Sequence, residues 1–279
     1  MADYDPWVPV GDLPTDGVTI RPAATVILVD DRPELEVLVL RRRDASVFVG
    51  GHTVFPGGAV DPDDRDPLWS SLTVGITASE ADQALRVSGA RAFWVAAVRE
   101  TIEEVGLAVG FSDQSLVDHR CALDRGEERF TELVTSTGQL LDLSGIHPIS
   151  RWVTPMPSPR RYDTYFFLTR APGGIEPCVD GREVVKAEWA TPAETLERWR
   201  SGELAMISPT LATLQRLACY RSSEEALAAA TRGAQPEGVR VIDERSTPPL
   251  FPADPGYRSP GTRAVLGWTW LPDPRMKRR

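Results

Sequence analysis

Residues 90–105, ARAFWVAAVRETIEEV, constrain the chain more than any other segment, because they form a helix with two unlike faces. At about 100° per residue, Glu103 and Glu104 fall about 60° and 40° to either side of Glu100, so three carboxylates share one arc. Trp94, Val95, Val98, Ile102 and Val105 make an apolar stripe on the other side, and the small Ala96 and Ala97 flank the acids and leave room for a neighbouring loop. Gly106 marks the end, since helices commonly finish with a glycine just past the last turn. Like charges at i and i+4 destabilise a helix, so the three glutamates need compensation. A hard divalent cation would provide it, because Mg²⁺ and Mn²⁺ prefer carboxylate oxygens and keep waters or phosphates as their other ligands. A solvated acidic face is the alternative.

The rest of the chain reads as a mixed α/β body around this helix. Residues 1–17 are a tail, broken by Pro6, Pro9, Gly11, Pro14 and Gly17, whose order would need docking onto the body. From Val18, TIRPAATVILVDD and LEVLVLRRR flank a turn at Arg32-Pro33 and predict paired strands. HTVFPGGAV predicts a short strand running into a glycine turn, followed by loop up to about Leu72. Residues 79–87, with Ser79 three before Asp82, predict a short capped helix. ISRWVTP and RRYDTYFFLTR predict two strands, and VVKAEWATPAETLERWRSG a strand feeding a helix with Pro192 in its first turn. Two helices broken near Ser222 and a proline-rich tail with aromatics follow. The expected division is a tail at 1–17, a body at 18–205 and a C-terminal addition at 206–279 that packs on the body or on a partner subunit. Proline-rich arms often exchange between protomers, so a homodimer is a further expectation.

The net charge of −9 disfavours a nucleic-acid or anionic-membrane partner, because phosphate backbones are bound by clustered Lys and Arg. Three cysteines, odd in number and far apart, form neither a disulfide framework nor a C-x-x-C metal site. No apolar run approaches membrane-spanning length and the N-terminus has no export signal, so no membrane association and a cytoplasmic location are expected.

Phe55-Pro56-Gly57-Gly58 and the run from Arg99 to Leu107 together resemble the signature of the Nudix hydrolases, G-x5-E-x7-R-E-U-x-E-E-x-G-U, where U is aliphatic. The second half departs only at Thr101, which replaces an aliphatic residue. In the first half Asp64 stands where the family has a largely structural glutamate. Thirty-four residues then separate Asp64 from Arg99 where seven are expected, an insertion of 27 spanning about 65–90. The lengthened signature, with GGHTVFPGGAVD, RWVTP and EVVKAEWATPAE, resembles the branch containing the peroxisomal-type coenzyme A diphosphatases. Gly51 and Phe55-Pro56-Gly57-Gly58 match the end of the motif of that branch, but Val47 stands where its arginine is expected, and the C-terminus PRMKRR is not a peroxisomal S-K-L address.

The resemblance implies an α/β/α sandwich with a mixed sheet and a helical, extended C-terminal addition. It implies hydrolysis of a small-molecule diphosphate, with Glu100, Glu103 and Glu104 holding Mg²⁺, or Mn²⁺ in its place, and Arg99 orienting one of these acids by a salt bridge. Gly57 and Gly58 would let the backbone approach metal or phosphate, although a tight turn alone also uses glycines. Glu183 is the candidate general base, with Glu188 its competitor. His52, Arg161 and Tyr162 are candidate substrate contacts, with Arg160 beside them, against the plainer readings of a hydrogen-bonded histidine, surface charge and a core tyrosine. Coenzyme A or an acyl-CoA is the expected substrate. NADH, ADP-ribose or a related dinucleotide is the alternative, and a nucleotide-binding module without catalysis a third reading.

Overall fold

The computed structural model describes residues 4–43, 50–179, 181–243 and 247–276; Val47 lies outside them. The expected hairpin forms as β1 (Ile20–Asp31) and β2 (Leu35–Arg42). It is followed by β3 (Thr53–Val54) and β4 (Gly57–Ala59), then by α1 (Trp69–Leu72), β5 (Thr73–Val74) and α2 (Ala78–Leu85) within the insertion. The acidic helix is α3 (Arg91–Val105). After it come α4 (Arg120–Asp124), α5 (Phe130–Thr137) and β6 (Leu141–Asp142). Strands β7 (His147–Val153), β8 (Arg161–Arg170) and β9 (Val184–Ala190) precede α6 (Pro192–Arg200), α7 (Ser208–Leu217) and α8 (Ser223–Arg232). The chain ends in β10 (Glu237–Val241) and β11 (Arg263–Thr269).

The main sheet is mixed and runs β10-β11-β7-β8-β1-β2-β3, with β9 added on β2. β1 and β8 pair in parallel from Ile20↔Arg161 to Val29↔Arg170. The other edge of β1 forks: residues Ala23 to Thr25 pair with β4, and Val29 to Asp31 with β2. Gly57 and Gly58 are therefore strand residues on β1, where the sequence pattern suggested a turn.

Side chains alternate across this sheet, as a period of two requires. Ala24, Val26, Leu28, Leu38, Leu40, Tyr165 and Phe167 join the core that buries α3. Ile27, Val29, Val37, Val39, Phe166 and Leu168 join a second core beneath α6, α7 and α8. Strands apolar on both faces are what a sheet covered by helices on both sides demands. The α/β/α sandwich follows from that pattern.

The insertion belongs to the first core. Trp69, Ala81 and Leu85 are buried there, the Trp69 ring packs tilted against Phe130 with centroids 5.0 Å apart, and β5 pairs with β6. The segment expected to be loop up to Leu72 thus carries a short helix. The cap of α2 is Thr77, whose hydroxyl accepts from the Glu80 N–H while Glu80 accepts from the Thr77 N–H. Ser79 does not cap it. Asp82 instead accepts from the N–H of Ala90 at 2.8 Å and steadies the entry to α3.

Both ends of the chain dock on the sheet. Arg151 donates to the carbonyls of Pro6 and Val8 at 2.9 Å each, and Arg161 to that of Pro14 at 2.8 Å. The C-terminal β11 pairs with β7, where a Cβ on Gly267 would lie 2.3 Å from the Trp152 ring, so this glycine lets the indole lie flat on the strand. Arg151 is fixed in turn by Asp163, at 2.7 and 3.0 Å, with both side chains almost fully buried. Replacing Arg151 by Leu strands the Asp163 carboxylate and frees the N-terminal segment. Such a broken buried pair costs about 3–5 kcal/mol. Urea unfolding of Arg151→Leu measures it, and a loss below about 1 kcal/mol would contradict this role.

Candidate active site

Helix α3 packs against β4, and its Glu100 and Glu104 meet the glycines there. A Cβ on Gly57 would sit 2.4 Å from the carbonyl oxygen of Ala24, a backbone clash that nothing flexible relieves. Glycine is needed there for β4 to pair with β1. A Cβ on Gly58 would sit 2.3 Å from Glu100 Oε1, so the absence of a side chain lets this carboxylate lie against the strand. The Gly57 N–H donates to Glu104 Oε2 at 3.0 Å.

Arg99 organises the acids from below. Its Nε and Nη2 donate to the two oxygens of Asp64 at 3.0 Å each, Nη2 also reaches the carbonyl of Ala59 at 2.9 Å, and Nη1 bridges Glu100 Oε1 at 3.0 Å and Glu103 Oε2 at 2.8 Å. Asp64 is 1% exposed and accepts from the Asp61 N–H as well. Thr101 occupies the aliphatic position without an orphaned hydroxyl, because it donates to the carbonyl of Val98 at 2.7 Å.

Burial raises all three glutamate carboxyls from the ordinary range. Glu103 is pushed up to about 8 by desolvation, with Arg99 opposing and Glu100 adding to the rise. Glu104 is raised by burial and by the charge of Glu100. Asp64 takes up the charge of Arg99, and Glu183 takes up that of Arg42 through a 2.6 Å pair, while Arg42 stands 4.0 Å from Glu104. Three largely buried carboxylates are left short of countercharge, and this is the environment that suits a hard divalent cation. Among the described residues no group of three His, Cys, Asp or Glu side chains stands in position to hold a metal ion in this arrangement. Glu100 and Glu103 would have to exchange Arg99 Nη1 for the cation.

These groups line one wall of a cleft of about 880 Å³. Glu100, Glu103, Glu104, Arg99, Gly57, Gly58, Glu183 and Tyr162 all reach it, as does Arg160. Three candidates do not. Arg161 is 1% exposed and turned to the N-terminal segment and the carbonyl of Thr154, because neighbours on a strand point to opposite faces. His52 lies outside the cleft, with Nδ1 3.0 Å from the carbonyl oxygen of Gly50. Glu188 also lies outside and pairs with Lys186 and Arg198. The cleft further contains Arg42, Arg43, Trp152, Arg182 and the start of α7 at Ser208, none of them singled out by the sequence. The run of three arginines closing β2 is the one available signal for Arg42 and Arg43.

A family model described as the NUDT19 Nudix domain matches residues 74–217, just over half of the chain. The chain belongs to this Nudix family. Among proteins similar to the Nudix chain is the acyl-coenzyme A diphosphatase NUDT19 of Gallus gallus, 27% identical, covering 72% of the chain and 69% of that protein. The human protein of that name is 26% identical, covering 67% and 61%. The crystal structure of a NUDIX hydrolase from Alicyclobacillus acidocaldarius is 32% identical with a TM-score of 0.66, covering 76% of the chain and 97% of that structure. Nudix hydrolases generally use a divalent metal, and the buried acids of this Nudix chain fit one. Because Gly58 faces the tip of a flexible side chain, Gly58→Ala should fold with a melting temperature within about 4 °C of wild type. It should lose cation binding by calorimetry with MnCl₂, since Glu100 is pushed off the strand; wild-type affinity would refute the placement.

Proposed function

We propose that the chain is a diphosphatase of coenzyme A or acyl-CoA, working with Mg²⁺ or, in its place, Mn²⁺. The observation that carries this reading is the largely buried cluster of Glu100, Glu103 and Glu104 beside the Gly57-Gly58 strand, in a family whose similar members bear that activity in their names. When bound, the cation neutralises diphosphate oxygens and polarises water. The chain supplies the rest. Arg99 orients Glu100 and Glu103, and the Gly57 N–H orients Glu104. Glu183, at the mouth of the cleft and fixed by Arg42, is the group we assign to accept a proton from water. Tyr162 and Arg160 offer a ring face and a cation to the nucleotide half.

The apolar part of the cleft lining favours a coenzyme A conjugate over a dinucleotide. Trp152, Phe166, Val265 and Leu266 line it, an apolar surface suited to a pantetheine or acyl chain and poorly matched to a second ribose phosphate. Three free cysteines accord with a reducing, cytoplasmic setting.

The test is turnover of coenzyme A, an acyl-CoA, NADH and ADP-ribose with Mg²⁺, with products identified by mass. Coenzyme A should give adenosine 3′,5′-bisphosphate and phosphopantetheine. Glu103→Gln and Glu104→Gln should each lower kcat by about 10²-fold or more, since metal assistance is worth several kcal/mol. Turnover of NADH or ADP-ribose alone would sink the coenzyme A reading, and no metal-dependent turnover of any diphosphate would sink the enzyme reading.

A further inference from the structure

The α7 helix enters the cleft from the opposite layer to α3. Its core residues Leu211, Leu214 and Leu217 pack in the second core, and its first turn, Ser208 to Thr210, lines the cleft. The segment leading into it is pinned to β3, where the Thr53 N–H donates to the carbonyl of Ala205 at 2.8 Å. The position of the helix end is therefore set by the sheet.

That end is uncapped. Ile207 holds the N-cap position, and no side chain accepts from the first turn. A helix start leaves its first backbone N–H groups without intrahelical partners and carries a partial positive charge. Pro209 has no N–H, so the free main-chain donors are those of Ser208 and Thr210. The Ser208 hydroxyl adds a third, and it is an independent sign of a ligand. Ser208 is 7% exposed, yet its hydroxyl meets no hydrogen-bond partner among the described residues. Buried polar groups are nearly always satisfied, and each exception calls for an explanation. Hydroxyl and main-chain N–H can both act as donors at the positive end of a helix, and that combination selects an anion.

We propose that the N-terminus of α7, through Ser208, holds a phosphate monoester of the substrate, distinct from the diphosphate cleaved at the glutamates. It rests on the reading of the substrate as a coenzyme A conjugate, whose nucleotide half carries such a group at the ribose 3′ position. The diphosphate is assigned to the wall of β4 and α3, and α7 approaches from the other layer, so one substrate spans both. The site then explains how an acidic chain selects a 3′-phosphorylated nucleotide over one without that group.

The experiment is calorimetry on the full chain with Mg²⁺, using adenosine 3′,5′-bisphosphate and adenosine 5′-monophosphate. Wild type should bind the bisphosphate at least about tenfold more tightly, the scale of one hydrogen bond to a charged group. Ser208→Ala should bring the ratio of the two affinities close to one. Ser208→Asp suits the helix end but repels phosphate, and should invert the ratio. Equal affinities in wild type, an unchanged ratio in Ser208→Ala, or an equal loss for both nucleotides in that variant would overturn the proposal. Discrimination without turnover of coenzyme A supports the site and defeats only the diphosphatase reading. Turnover without discrimination defeats the site and leaves that reading standing.

Discussion

One buried guanidinium sets the geometry on which the catalytic wall depends. Arg99 has five N–H donors, and it spends them on Asp64 twice, on the carbonyl of Ala59, on Glu100 and on Glu103. Each bond has a separate structural effect. The pair with Asp64 joins the two ends of the insertion, so a lengthened signature still closes. The bond to Ala59 locks β4 over the helix, and the bonds to the glutamates hold two carboxylates that would otherwise repel. Arg suits this position because only its rigid fork reaches acids on three sides at once. Lys offers a single ammonium and could not serve both Asp64 oxygens and the strand carbonyl.

The sheet explains why the cleft has two chemically different sides. It separates two cores, and the fork in β1 brings β4 beside α3 at one end of the strand and β2 at the other. Acids come from the first layer. The second layer contributes the start of α7, and the paired strands β7 and β11 bring the apolar surface of Trp152 and Leu266. The C-terminal strands continue the same sheet beside β7, so this addition supplies part of the wall of the cleft.

What could be read from sequence was local. The 3.6-residue period of α3, its Gly106 stop and its three acids depend on neighbours within one helix, and the strand pairs depend on short runs of β-branched residues. Contacts between distant residues were not legible. Asp64 was recognisable only as a substitute in a motif, because its bond to Arg99 spans the insertion. Thr77 and Ser79 each precede an acid by three residues, and only the fold shows which pair closes a capping box. Nothing in the sequence separates Arg161 from Arg160, because which of the two neighbours faces the cleft is fixed only where β8 pairs with β1. The short elements α4, α5 and β6 have too few residues to show a period. Ser208 carries no signal at all until the helix end is seen to open into the cleft.

The assignment of Glu183 as a proton acceptor meets an apparent difficulty, because its side chain is 62% exposed and an exposed loop acid is usually mobile. Arginines from the body answer it. Arg32 bonds Glu176, Arg120 donates to the carbonyls of Cys178 and Val179, Arg43 to those of Gly181 and Arg182, and Arg42 takes Glu183 itself. The loop is thus held through its backbone as well as through its acids. Backbone carbonyls remain acceptors at every pH, so this restraint survives protonation of the carboxylates. These arginines are engaged in holding the loop, so they add less to phosphate attraction than their number suggests. With the rim partly neutralised in this way, the task of attracting a polyanion shifts to a divalent cation at the glutamates and to the positive end of α7. That division is consistent with a chain of net charge −9 acting on a phosphate-rich substrate.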